Sequence, residues 1–326
     1  MRAFLVRVLA FATLLGVSHV ALIGLATIAS PTLKARLMRN SNVPMSVDRD
    51  HIALRFEELR SARDIDVLFI GSSHSLRTFD PRYFERQGIR AFNLGTANQT
   101  PLNTYFLLRR YLPQLNPRVV VIEAYWETLA INGVEGTIFI TGNRGPGWDT
   151  WGMALATRHP MALNAQISSQ IEQALGRRTE IRLRPGEVYT SGGFVETWQP
   201  NSQAPPTGRR NLVLDDTQMN YLSRSLMLLR DHQVRPLLTW APVTSAHRRT
   251  ATNLDEIESR LVDMSKAHEV PFIDLEQRVL LDDRLDFRDA DHLNQRGVDK
   301  VMPVVAEILS EVHLLGEEVS RAALPR

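Results

Sequence analysis

The stretch that most narrows the possible folds is Val119-Val120-Val121-Ile122-Glu123, a β-branched run with no polar face. A strand in a one-sided sheet alternates polar and apolar residues, whereas a strand that is apolar throughout has helices over both faces. Val67-Leu68-Phe69-Ile70 has the same character, and further short apolar runs fall at Ala91–Leu94, 236–242 and 271–275. Between them apolar residues recur at helical spacing, predicting helices over Ile52–Arg63, Asn103–Leu112, Gln218–His232, Leu254–His268 and Gln295 to about Leu314. Strands alternating with helices imply an α/β fold with a mainly parallel sheet and right-handed crossovers.

The rhythm breaks between 131 and 210, where Gly, Pro and aromatic residues are scattered through irregular sequence around one expected helix, Ala162–Leu175. A connection this long inside a compact domain is expected to be functional, here a lid or substrate-contacting insertion. Residues 31–50 read as polar and irregular. The expected organisation is therefore a leader or anchor over 1–30 and one domain over 31–326 carrying the insertion.

Val8 to Ala29 carries no formal charge. At about 1.5 Å per residue it is long enough to cross a bilayer core of about 30 Å. Small residues at Ala26-Thr27-Ile28-Ala29-Ser30 leave a cleavable signal peptide as the alternative, but the apolar run exceeds the usual signal core of about 7–15 residues. An uncleaved anchor is the expectation. Arg2 and Arg7 precede the segment while Lys34, Arg36 and Arg39 follow it, so the positive-inside comparison is nearly balanced; export to a periplasm-like space is expected.

The chain has 326 residues, 44% hydrophobic and 23% charged, enough for a sizeable core. Net charge is +2, and basic pairs such as Arg209-Arg210 and Arg248-Arg249 lack the interleaved aromatic residues of a nucleic-acid surface. No nucleic-acid partner is expected. Cysteine is absent, which excludes disulfides, cysteine nucleophiles and thiolate metal sites.

Chemistry concentrates where the first strand ends, in Gly71-Ser72-Ser73-His74-Ser75. In open parallel sheets ligands bind beyond the carboxyl ends of the strands. A serine there, opening a helix, can attack a carbonyl if a base takes its proton, and its own N–H can help hold the oxyanion. The competing reading is that Ser72, Ser73 or Ser75 merely caps the helix. Position 75 is not glycine, so Gly-x-Ser-x-Gly is absent and a lipase-type α/β-hydrolase is disfavoured.

Far downstream, Phe287 to Val301 contains Asp289 three residues before His292. A carboxylate at that spacing can bend back to hold Nδ1–H and leave Nε2 free to face a serine. Alone, Asp-x-x-His is more often a helix cap beside a surface histidine. Asp289, Asp291 and His292 crowd too closely, without another histidine cluster, to suggest a cation site, and no metal or cofactor is expected. His74 reads as a pocket wall, since a sequence neighbour of Ser73 on a helix faces another way.

Phe69-Ile70-Gly71-Ser72-Ser73-His74-Ser75, Phe92-Asn93-Leu94-Gly95-Thr96-Ala97-Asn98 and Asp289-Ala290-Asp291-His292-Leu293-Asn294 together resemble successive blocks of the SGNH, or GDSL, hydrolase superfamily. The resemblance spans about Val67 to Gly297. It implies a three-layer α/β/α fold, Ser73 as nucleophile, Asp289 and His292 as acid and base, and the Ser73 and Gly95 backbones as oxyanion donors. Two departures stand out. Gly-Asp-Ser becomes Gly71-Ser72-Ser73, and the block after the third strand, normally Gly-x-Asn, reads Glu123-Ala124-Tyr125-Trp126, which leaves the third oxyanion donor unassigned. Asn98, close to Gly95 in sequence, is the candidate replacement.

Trp240 lies in an apolar strand and reads as core, whereas Trp148, Trp151 and Trp198 lie in the insertion, as sugar-stacking platforms or as local packing. An SGNH-like domain behind one membrane anchor resembles proteins that add or remove O-acetyl groups on exopolysaccharides and cell-wall polymers, often beside a multispanning acyl-transporting partner. The expected function is an anchored, exported O-acyl esterase or transferase acting on a polysaccharide. A lipid or small-ester hydrolase with the insertion as lid, and a non-catalytic glycan-binding scaffold, are the alternatives.

Overall fold

The computed structural model describes residues 1–38, 50–177, 180–183 and 185–312. Its centre is a five-stranded, wholly parallel sheet formed by β1 (Val67–Ile70), β2 (Ala91–Asn93), β3 (Val119–Glu123), β6 (Arg235–Trp240) and β7 (Phe272–Asp274), in the order β2-β1-β3-β6-β7. Val67 registers with Ala91 on one side and Val119 on the other; Val119 pairs Arg235, and Leu238 pairs Phe272. The chain order reverses direction between β1 and β3. In open parallel sheets ligands bind beyond the carboxyl ends of the strands at such a switch point.

The helices, in chain order, are α1 (Arg2–Ala29), α2 (Pro31–Met38), α3 (His51–Glu58), α4 (Ser73–Thr78), α5 (Pro81–Glu85), α6 (Pro101–Leu115), α7 (Val134–Arg144), α8 (Trp148–Ala156), α9 (Pro160–Ala174), α10 (Asp216–Asp231), α11 (Ser245–Arg248), α12 (Leu254–His268) and α13 (Gln295–Glu311). Because side chains alternate along a strand, Leu68, Ile70, Val120, Ile122 and Leu238 face one core with Phe56, Leu107, Leu226 and Ile257. Val67, Phe69, Val119, Val121 and Leu237 face the other with Phe84, Val298, Val301 and Val305. The result is the expected three-layer α/β/α fold. The expected helix over 254–268 matches α12; the closing helix runs to Glu311, and Leu314 lies outside the described residues.

The insertion is more ordered than its composition suggests. It folds as α7, α8 and α9 plus an antiparallel hairpin of β4 (Val188–Thr190) and β5 (Phe194–Glu196). Glycines that read as breakers instead delimit helices: Gly133, at φ +77°, opens α7 and Gly145, at φ +93°, closes it. The hairpin crosses to the second core, where Phe194 is buried, and α3 grips it through Arg55 Nη2 donating to Gly193 O (2.6 Å) and Glu58 Oε1 accepting from Gly192 N–H (2.7 Å).

Residues 31–38 form a helix where irregular chain is expected, while 39–49 lie outside the described residues. Helix α2 is held by contacts remote in sequence: Lys34 pairs with Glu172, and Asn164 Nδ2 donates to Leu37 O at 3.1 Å. Helix α1 is long and apolar enough to cross a membrane. Most of it is exposed, but Ile23, Ala26 and Thr27 are buried, and Thr27 Oγ1 donates to Ser168 Oγ of α9 at 2.9 Å.

Candidate active site

Strand β1 ends in Gly71, which passes so close to the end of β3 that a Cβ there would lie 2.7 Å from Glu123 Cβ. Only glycine fits. Ser72 then caps α4, its hydroxyl accepting from His74 N–H at 3.2 Å and donating to Glu123 Oε2 at 2.7 Å; the same carboxylate oxygen accepts Ser72 N–H at 2.9 Å. Ser73 follows as the first residue of α4, where the backbone N–H has no intrahelical acceptor.

The Ser73 hydroxyl meets His292 Nε2 at 2.8 Å, across a sequence separation of 219 residues. His292 Nδ1 lies 3.0 and 3.2 Å from the two oxygens of Asp289. The loop carrying the acid and base is built from its own polar groups. Asp289 Oδ1 also accepts the N–H groups of Asp291 (3.2 Å) and His292 (2.8 Å), while Thr244 Oγ1 donates to Ala290 O at 2.5 Å. Just beyond, Asn294 caps α13 and donates to Leu285 O and Phe287 O at 2.8 and 3.0 Å.

Electrostatics separate the two histidines. Burial favours neutral His292, but Asp291 and then Asp289 outweigh it and raise its pKa to about 9. His74 is pushed down to about 3, first by burial and then by His292, so it stays neutral. Its ring lies against Tyr125 (centroids 3.8 Å apart, planes tilted by 31°) and stacks on His292 (4.7 Å), the imidazole that faces Ser73. Burial lifts Glu123 to about 7 against the two Ser72 hydrogen bonds that favour its charge.

Other expected residues have other engagements. Gly95 N–H is committed to Asn93 Oδ1 at 2.9 Å, and Asn98 Nδ2 donates to Glu135 Oε2 of α7 at 3.1 Å. Ser75 is buried, its hydroxyl 3.4 Å from Asn93 Oδ1. Trp240 is core, as expected, whereas Trp198 is 63% exposed with Nε1 donating to Glu196 Oε1 at 2.6 Å, and Trp148 is 48% exposed beneath the Arg109 guanidinium. His74, Asp291 and His292 each place one ligand atom within 4.8 Å of the others, a spacing an ion could bridge. The two rings are stacked only 27° from parallel, and imidazole lone pairs lie in the ring plane, so they do not converge on one ion.

Sequence reasoning missed two groups. Glu187, in the insertion, accepts from Arg77 of α4 (2.6 Å) and from Arg288 (2.7 Å), whose Nε lies 3.4 Å from Asp289 Oδ2. Burial opposes its charge, yet these arginines and His51 hold its carboxyl well below the usual range. No local pattern signals such a residue. Glu123 did carry a signal, a carboxylate closing an otherwise apolar buried strand.

No family model and no curated protein matches this chain. Among solved structures, it is similar to a candidate acylhydrolase from Bacteroides fragilis NCTC 9343 (14% identity, TM-score 0.42, covering 81% of this chain and 96% of that one). It is also similar to a GDSL-like lipase from Bacteroides thetaiotaomicron VPI-5482 (14% identity, TM-score 0.41, covering 80% and 99%). The chemistry of the site rests on its own residues.

Proposed function

We propose that this chain is an SGNH-type serine O-acyl esterase or acyltransferase, tethered by α1 and acting outside the cytoplasm on an exported polysaccharide or cell-wall glycan. The observation that carries the catalytic part is the continuous contact from Ser73 Oγ through His292 to Asp289. Ser73 Oγ attacks an acyl carbonyl while its proton passes to His292 Nε2. The oxyanion forms beside Ser73 N–H. His292 returns the proton to the leaving alkoxide, leaving an acyl-serine that water or a sugar hydroxyl discharges by the same steps in reverse.

Trp198 supports the glycan part of the reading. An exposed indole whose N–H is already tied to Glu196 offers a fixed apolar face, and its neighbour Thr197 accepts Gln295 N–H at 2.7 Å, close behind His292. If the reaction is transfer, a multispanning membrane partner would deliver the acyl group. Fluorophosphonate labelling of the full chain in detergent, with the adduct mapped by mass spectrometry, tests the reading. An adduct on Ser73 that vanishes in His292→Ala is expected; a folded chain that takes no adduct removes the enzymatic reading and leaves a glycan-binding scaffold.

A further inference from the structure

The base has two carboxylates, and they are not equivalent. Asp289 lies in line with Nδ1 and spends its remaining acceptor capacity on the turn N–H groups, with Arg288 Nε at 3.4 Å from its outer oxygen. It fixes the ring, and its charge is shared with a guanidinium. Asp291 approaches differently. Its Oδ1 sits 3.2 Å from His292 Nδ1, and its Oδ2 lies 3.7 Å from His74 Nε2, a nitrogen that is buried without a hydrogen-bond partner.

We propose that Asp291 is a second positioning residue of the base, one that stabilises the charged imidazole through space while Asp289 orients it, and thereby sets the pH at which Ser73 is activated. This rests on Ser73 and His292 being the reacting pair. Among the described residues, the groups around His292 are Ser73 and His74 of α4, Arg288, Asp289 and Asp291 of its own loop, Glu123 at the end of β3, and, behind His74, Tyr125 and His247 of α11, which bond each other at 2.6 Å. His74 stays neutral, so of the two imidazoles beside Asp291 it is His292 that can carry the charge it stabilises.

A carboxylate this close favours imidazolium and makes a stronger base that is free only at higher pH. Removing the charge should do the reverse: more free base near neutrality, and less driving force once free. The test is an NMR titration of the His292 Cε1–H signal in the full-length protein in detergent, native and Asp291→Asn, with fluorophosphonate labelling rates followed over the same pH range. In Asp291→Asn the His292 midpoint should fall by about 1–3 pH units. The labelling limb should move with it, with a lower plateau above it. Asp291→Glu should restore much of the shift, and Asp289→Asn should lower labelling at every pH through loss of ring orientation.

An unchanged midpoint in folded Asp291→Asn overturns the proposal. A shifted midpoint in a protein whose Ser73 never labels would uphold the electrostatic role of Asp291 and remove the catalytic reading instead.

Discussion

Glu123 Oε2 accepts two hydrogen bonds from one residue, the backbone N–H of Ser72 at 2.9 Å and its hydroxyl at 2.7 Å. This pairing assigns the adjacent serines. Ser72 is turned toward the end of β3 and locked there, which leaves Ser73 alone to face His292.

Ser73→Ala should therefore abolish fluorophosphonate labelling, while Ser72→Ala should retain an adduct on Ser73. The Ser72 change removes a helix cap and should cost about 0.5–2 kcal/mol of stability. Peptide mapping together with thermal unfolding checks both. Labelling lost in Ser72→Ala and kept in Ser73→Ala would reverse the assignment.

Glu123 should make stability fall with rising pH. Its folded pKa is raised from 4.5 to about 7, so between those values the folded chain holds a proton that the unfolded chain has released. Stability is lost across that window by at most about 3 kcal/mol, with no further change above it. Glu123→Gln, which still accepts from Ser72, should flatten this part of the curve. Chemical denaturation at pH 5 and pH 8 for both proteins measures it.

Glu187 joins the insertion to both halves of the site. Glu187→Gln leaves Arg77 and Arg288 with an uncharged partner in a buried setting, where breaking an ion pair typically costs about 3–5 kcal/mol. A lower Tm and a reduced kcat on a small acetyl ester are expected, since Arg288 also borders Asp289. An unchanged kcat at a temperature where the variant is folded would confine Glu187 to stability.

Trp198→Ala should raise KM for acetylated oligosaccharides and leave turnover of a small aryl acetate near native. Its indole is exposed and bonded to Glu196, so little packing is lost with it. Steady-state kinetics on the two substrate types separate these outcomes; equal effects on both would place Trp198 outside substrate binding.

The sequence by itself determined the parallel α/β architecture and the membrane-length first helix, and it marked the end of β1 and the Asp289–His292 spacing as places for chemistry. These are carried by signals that are local or nearly so: unbroken apolar runs, helical spacing, a glycine after a strand and a three-residue offset from carboxylate to imidazole. Only the tertiary structure decided that Ser72 answers to Glu123, that the Gly95 N–H is held by Asn93, that Glu187 ties the insertion to the acid loop, and that Asp291 looks at the base. It also decided that residues 131–210 fold into helices and a hairpin, and that α1 rests on α9. The reason is physical: a hydrogen bond or ion pair is made by whichever group the fold brings within about 3 Å. Glu123 and Ser72, Glu187 and Arg288, and Thr27 and Ser168 have no common local pattern to announce that they meet.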